Sequence, residues 1–102
     1  MPTARIAAGR TPAGQGWQPY GPNGIYLDVD TSDARFSGSP VYVTSIGSTG
    51  GTQWGLVGPS AVYDATGTKF RVYVQWKDGR PLAPAHAQQY GWYINWIGYD
   101  NP

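Results

Sequence analysis

The sequence predicts an all-β domain, and two observations carry that reading. Fifteen Gly and nine Pro fall throughout the 102 residues, leaving little room for a helix between them. The segments they bound are short, and several alternate apolar with polar residues at the period of two that a half-buried strand requires.

Residues 1–24 carry Gly9, Pro12, Gly14, Gly16, Pro19, Gly21, Pro22 and Gly24, so they read as an extended arm with a brief strand at Arg5 to Ala8. Trp17 and Tyr20 within it imply that the arm is pinned against a body, its own or a neighbour's. The body spans residues 25–99, and the whole chain reads as one domain. Gly24 to Asp30 is a strand, with Ile25, Leu27 and Val29 on one face and Tyr26, Asp28 and Asp30 on the other. Pro40 introduces a second strand, Val41 to Ile46. Its two faces, Val41 with Val43 and Tyr42 with Thr44 and Ile46, are both semi-apolar, which predicts a central or interfacial position. Gly47 to Gly51 is a turn, Gln53 to Val57 a weak strand, and Ser60 to Asp64 another short one. Lys69 to Trp76 is the strongest segment, with Phe70, Val72, Val74 and Trp76 against Lys69, Arg71, Tyr73 and Gln75. Lys77-Asp78-Gly79-Arg80 is a turn by its Asp-Gly pair, and Pro84 to Gln89 has room for one helical turn. Trp92 to Tyr99 closes the chain as a strand. Both of its faces are bulky, and a domain this small cannot bury both alone, so a protein interface is expected.

Composition excludes several classes of function. Seven Lys+Arg against six Asp+Glu leave a net charge of +1, and the basic residues are scattered rather than clustered, which excludes a counterion-release nucleic-acid surface. No cysteine is present, so there is no disulfide framework, thiol nucleophile or thiolate metal site. No run approaches the ~20 apolar residues of a membrane-spanning helix, so no membrane insertion is expected. The first nine residues lack a signal-peptide apolar core. The chain therefore reads as soluble, with its location open, including an extracellular one reached without a cleaved signal.

The chemistry-bearing residues are sparse. His86, the single histidine, falls in an expected loop, and no Gly-x-Ser-x-Gly elbow supports a nucleophile, so an enzyme is not expected. Asp28, Asp30 and Asp33 lie close in sequence, as calcium ligands often do. The chain contains no Glu to complete an EF-hand loop, and strand-face and turn roles are expected for them instead. Neither a metal nor an organic cofactor is expected. What remains is the aromatic excess of five Trp and eight Tyr. Sugars offer C–H faces to aromatic rings and hydroxyls to amides and charges. Trp54 and Trp76 fall at strand ends or in loops and are the expected stacking rings, while Trp92 and Trp96 share a strand face and read as core.

Read end to end, the chain resembles the H-type lectin family, the domain of snail agglutinins and of the C-terminal part of discoidins. The resemblance rests on Arg5-Ile6-Ala7-Ala8-Gly9 followed by Trp17, on Phe36 to Ile46 with its Pro40-Val41, on Val62-Tyr63 and Thr68 to Trp76, and on Tyr93 to Gly98 with its Trp96-Ile97. It implies a six-stranded antiparallel β-sandwich, a homotrimer about a three-fold axis, and binding of galactose- or N-acetylgalactosamine-type glycans at protomer boundaries. It also implies sugar contacts from the Pro22-Asn23-Gly24 loop and from Trp76 and Lys77. Val57 and Leu82 stand where the family carries a sugar-contacting Arg and a Tyr. The expected sugar-binding set is Asn23, Trp54, Trp76, Lys77 and Asp78, with the Trp76 ring partly exposed at a cleft rim. The alternative is a structural or adhesive trimeric tip without sugar binding.

Overall fold

The alternating segments fold as strands of two antiparallel sheets in the computed structural model, which describes residues 4–101. Among the described residues there are seven strands: β1 (Arg5–Arg10), β2 (Gln18–Tyr20), β3 (Gly24–Asp30), β4 (Val41–Gly47), β5 (Leu56–Val57), β6 (Lys69–Trp76) and β7 (Tyr93–Asp100), with one helix, α1 (Pro84–Tyr90), before the last strand. One sheet has the order β1-β7-β4 and the other β2-β3-β6-β5.

The inward faces are those the alternation selects. Ile25, Leu27 and Val29 from β3, and Phe70, Val72, Val74 and Trp76 from β6, are buried against Tyr42 of β4 and Ile94 and Trp96 of β7. The sheets meet through rings: Tyr42 lies 4.7 Å from Phe70, centroid to centroid, and Trp96 lies 6.4 Å from it. Buried polar groups are placed in pairs. The Tyr42 hydroxyl donates to the Thr66 carbonyl at 2.6 Å and lies 2.8 Å from the Thr31 hydroxyl, joining the two layers. The buried Asp100 carboxylate accepts the backbone N–H groups of Ser37 and Gly38 at 2.8 and 3.1 Å, which ties the end of β7 to the loop that enters β4.

Several expectations need correction. Of the expected arm, residues 1–3 lie outside the described residues, and the remainder is pinned to the chain's own body, with more strand than the brief one expected at Arg5 to Ala8. β1 pairs with β7 from Arg5↔Asp100 to Arg10↔Asn95, and β2 pairs with β3. Between them Gly14 and Gly16, with φ of 71° and 83°, adopt backbone that residues with a Cβ avoid, and so the chain crosses from one sheet to the other. Trp17 is buried in the chain's own core and donates its indole N–H to the Trp92 carbonyl at 3.2 Å. β4 is an edge strand rather than a central one, and β7 is the centre of its sheet. The weak strand expected at Gln53 to Val57 curls into a 3-10 turn over Thr52–Gly55 after Gly51, leaving two residues to pair with β6. The strand expected at Ser60 to Asp64 reduces to the single bridge Tyr63↔Arg71, because Asp64 turns away in left-handed backbone with φ 54°. The expected helical turn is present as α1, with Pro84 in its first turn and Gly91, φ 66°, closing it.

Candidate functional site

One end of the four-stranded sheet gathers most of the residues expected to touch sugar. The Asn23 loop joins β2 to β3, and β3 begins at Gly24 opposite Gln75 of β6. The chain leaving β6 is held beside the 3-10 turn by the Lys77 N–H, which donates to the Gly55 carbonyl at 2.8 Å. Farther on, the Leu82 N–H donates to the Pro22 carbonyl at 3.2 Å, so the 77–82 loop crosses the loop that carries Asn23. Asn23, Trp54, Lys77 and Asp78 are all exposed at this end.

The two candidate tryptophans are separated by the fold. Trp54 stands out of the 3-10 turn with 84% of its surface exposed. The Lys77 ammonium lies 5.6 Å from its ring centroid, within cation–π range. Trp76 is only 6% exposed, which corrects the expectation of a partly exposed ring at a cleft rim. Trp92 packs edge-on against it at 5.4 Å, with Tyr90 and His86 at 6.4 and 6.1 Å, and the Arg80 guanidinium caps it at 4.3 Å. Gly55 lies directly over the ring: a Cβ built there would sit 3.2 Å from two Trp76 carbons. The period of two had already placed Trp76 with Phe70, Val72 and Val74, and that signal outweighs its position at a strand end.

Asp78 organises its own turn. It accepts the Arg80 backbone N–H at 3.1 Å, and its carboxylate is 3.8 Å from the Arg80 guanidinium. His86 is likewise occupied, since its Nδ1 accepts the Ala83 N–H at 3.0 Å at the start of α1 and its ring stacks on Tyr90. Of the residues at the two departures from the family pattern, Leu82 is buried in the core and Val57 is exposed on β5.

The three clustered aspartates do not converge. Asp28 takes a two-pronged hydrogen bond from Arg71 at 2.7 and 2.9 Å, which holds its carboxyl below the ordinary carboxylate range. Asp30 accepts the Ser32 N–H at 2.9 Å and is lowered by Ser32 in the same way. Among the described residues no three His, Cys, Asp or Glu side chains come together in a group that would hold a metal ion, and no helix is long and apolar enough to cross a membrane.

Two surface features were read only in part from the sequence. The outer face of the three-stranded sheet is apolar at one end: Ile6, Tyr99 and Val41 form one cross-strand row and Ala8, Ile97 and Val43 the next, all exposed, Val43 by 68%. Alternation told which way Val41, Val43, Ile97 and Tyr99 face, but only the pairing shows that β1 adds Ile6 to the same patch. The outer face of the four-stranded sheet carries four tyrosines, with Tyr20, Tyr26 and Tyr63 arranged around Tyr73 at 4.8, 5.7 and 5.0 Å. Tyr26 and Tyr73 read as outward from their strands. Tyr20 and Tyr63 reach the group through β2 pairing and a single bridge, neither of which has a local sequence signature.

Set against models of known protein families, curated proteins and solved structures, the chain matches none.

Proposed function

We propose that the chain is a lectin that binds galactose- or N-acetylgalactosamine-type glycans at the Trp54 end of the sandwich, multivalently, as a homotrimer. The observation that carries the reading is the Trp54 ring, 84% exposed in an ordered turn with a lysine ammonium beside it. A large aromatic surface left in water beside a cation offers a stacking face and a hydroxyl partner to a pyranose, and the exposed Asn23 lies on a loop at the same end of the sheet. The choice of galactose-type sugar rests on the family resemblance alone. Weak single-site binding is raised by linking sites in one assembly. The face for that assembly is the Ile6–Tyr99–Val41 and Ala8–Ile97–Val43 rows, since exposed contiguous apolar surface on a small domain marks protein contact.

The same rows favour a second reading, an adhesive or structural trimer without sugar binding, because they support assembly whether or not Trp54 binds anything. A glycan array on wild type and Trp54→Ala, with light scattering on wild type and Ile97→Asp, separates the two. The lectin reading expects galactose-type signals that Trp54→Ala abolishes while the mass stays trimeric, and a monomer mass for Ile97→Asp. A trimer that binds no glycan leaves the structural reading, and a wild-type monomer at micromolar concentration overturns the assembly in both.

A further inference from the structure

The tyrosine cluster on the outer face of the four-stranded sheet lines a second recess, which adjoins the Trp54 end but shares none of its exposed residues Asn23, Trp54, Lys77 and Asp78. β6 lays Lys69, Arg71, Tyr73 and Gln75 along this face. Tyr20 and Tyr63 stand on either side of Tyr73, inclined to it by 60° and 82°, so the three rings form two walls and a floor rather than a flat stack. Tyr20 and Tyr63 remain 61% and 47% exposed, with much of each ring in water.

Two glycines open the space between the walls. Gly24 sits between Tyr20 and Gln75 in the strand register, and the missing side chain lets the Tyr20 ring lean across to Tyr73. A Cβ there would sit 3.6 Å from that ring. Gly58, with φ 103°, brings bare backbone onto β6, where a Cβ would come within 2.4 Å of the Tyr73 carbonyl oxygen. The result is a cleft of about 270 Å³ bounded by Tyr20, Tyr63, Tyr73, Val57 and Gln75. That is near the lower limit of ~300 Å³ for small-molecule pockets, and a second hollow of about 390 Å³ lies against the same three tyrosines, so the recess has room for a sugar ring.

The charged residues of this face lie on β3 and β6, and of them Asp28 and Arg71 form an ion pair. Asp28 lies opposite Arg71 and Asp30 opposite Lys69, and the Asp28–Arg71 pair is closed by two hydrogen bonds. Arg71 is further committed by lying 4.1 Å from the Tyr26 centroid and donating to the Tyr73 hydroxyl at 3.3 Å. The cleft presents aromatic faces, phenol hydroxyls and the exposed Gln75 side chain, and no charged residue lines it. We infer that the Tyr20–Tyr63–Tyr73 cleft is a second binding site, which takes a single neutral pyranose unit of a glycan. The cleft stands on its own geometry, and sugar as the ligand class rests on the lectin reading above. A proline-rich peptide also favours aromatic-lined surfaces, so oligoproline is the competing ligand in the test.

The test is backbone amide NMR on ¹⁵N-labelled protein titrated separately with methyl galactoside, N-acetylgalactosamine, methyl glucoside, methyl mannoside and oligoproline. The expected result is saturable shifts at the amides of Gly58, Tyr63 and Tyr73 with at least one sugar, and none there with oligoproline. Tyr20→Ala and Tyr63→Ala, at rings with much of their surface exposed, are expected each to weaken those shifts by about tenfold, while Trp54→Ala leaves them unchanged. Absence of sugar-dependent shifts at these amides, shifts that persist in both tyrosine variants, or shifts with oligoproline alone overturn the inference. Shifts confined to Asn23, Lys77 and the Trp54 indole would sink this site and leave the first, and shifts confined to the cleft would do the reverse.

Discussion

Truncating Trp54 and Trp76 in parallel separates a ring available for binding from one that holds the fold. In the sequence both fall at strand ends or in loops, each within three residues of a glycine. Trp76 is 6% exposed and touches Trp92, Tyr90, His86 and Arg80. Trp76→Ala removes that surface from the core and leaves a cavity beneath Gly55, at a cost of ~3–5 kcal/mol. Against a total stability of ~5–15 kcal/mol, this is a large fraction. With ~4–8 °C per kcal/mol for a domain near this size, the melting temperature falls by roughly 12–40 °C. Trp54→Ala removes a ring that is mostly in water and one cation–π contact, so its stability change stays within about 0.5 kcal/mol. Thermal unfolding followed by near-ultraviolet circular dichroism, with urea midpoints as the second measure, reads both variants. Equal destabilisation by the two, or a Trp76→Ala protein as stable as wild type, would refute the assignment of these rings.

Three further outcomes follow from the packing. Gly98→Ala is expected to cost ~1–3 kcal/mol in urea unfolding, because its Cβ would lie 2.7 Å from Phe36 and 3.0 Å from Tyr42; Gly50→Ala, with open space around it, serves as the neutral control, and equal midpoints would contradict the close approach. Tyr42→Phe strands the buried Thr31 hydroxyl and is expected to cost ~1–3 kcal/mol, part of which Thr31→Val restores in the double variant; strict additivity of the two would show that the hydroxyls are uncoupled. The Asp28 and Asp30 carboxyls are held below the ordinary range, so their stabilisation is present above about pH 4 and is lost as pH falls through their folded values. Asp28→Asn should therefore flatten the acid limb of the melting temperature against pH, and a limb of unchanged steepness would remove Asp28 from that role.

The period of two determined a great deal by itself. β3 and β6 have the boundaries and inward faces read from Gly24 to Asp30 and Lys69 to Trp76, and β7 buries Ile94 and Trp96 as its alternation requires. Those choices are local: a strand with one apolar face has one way to bury it. The Asp78-Gly79 turn and the single short helix were legible for the same reason, since their turn residues act through their own backbone. Partner choice between strands was not legible, because it depends on contacts far apart in the chain. Residues 4–20 read as an arm with a brief strand at Arg5 to Ala8 because Gly and Pro interrupt most runs there, and only pairing with β7 and β3 extends β1 to Arg10 and makes β2 a strand. Trp54 and Trp76 differ for a similar reason: one is carried outward by a glycine-bounded turn, while the other is covered by His86 and Tyr90 of α1, by Trp92 just before β7 and by Arg80. The tyrosine cleft was least legible of all. Tyr20, Tyr63 and Tyr73 lie on three separate segments, and a cross-strand neighbour carries no mark in the sequence until the sheet is assembled.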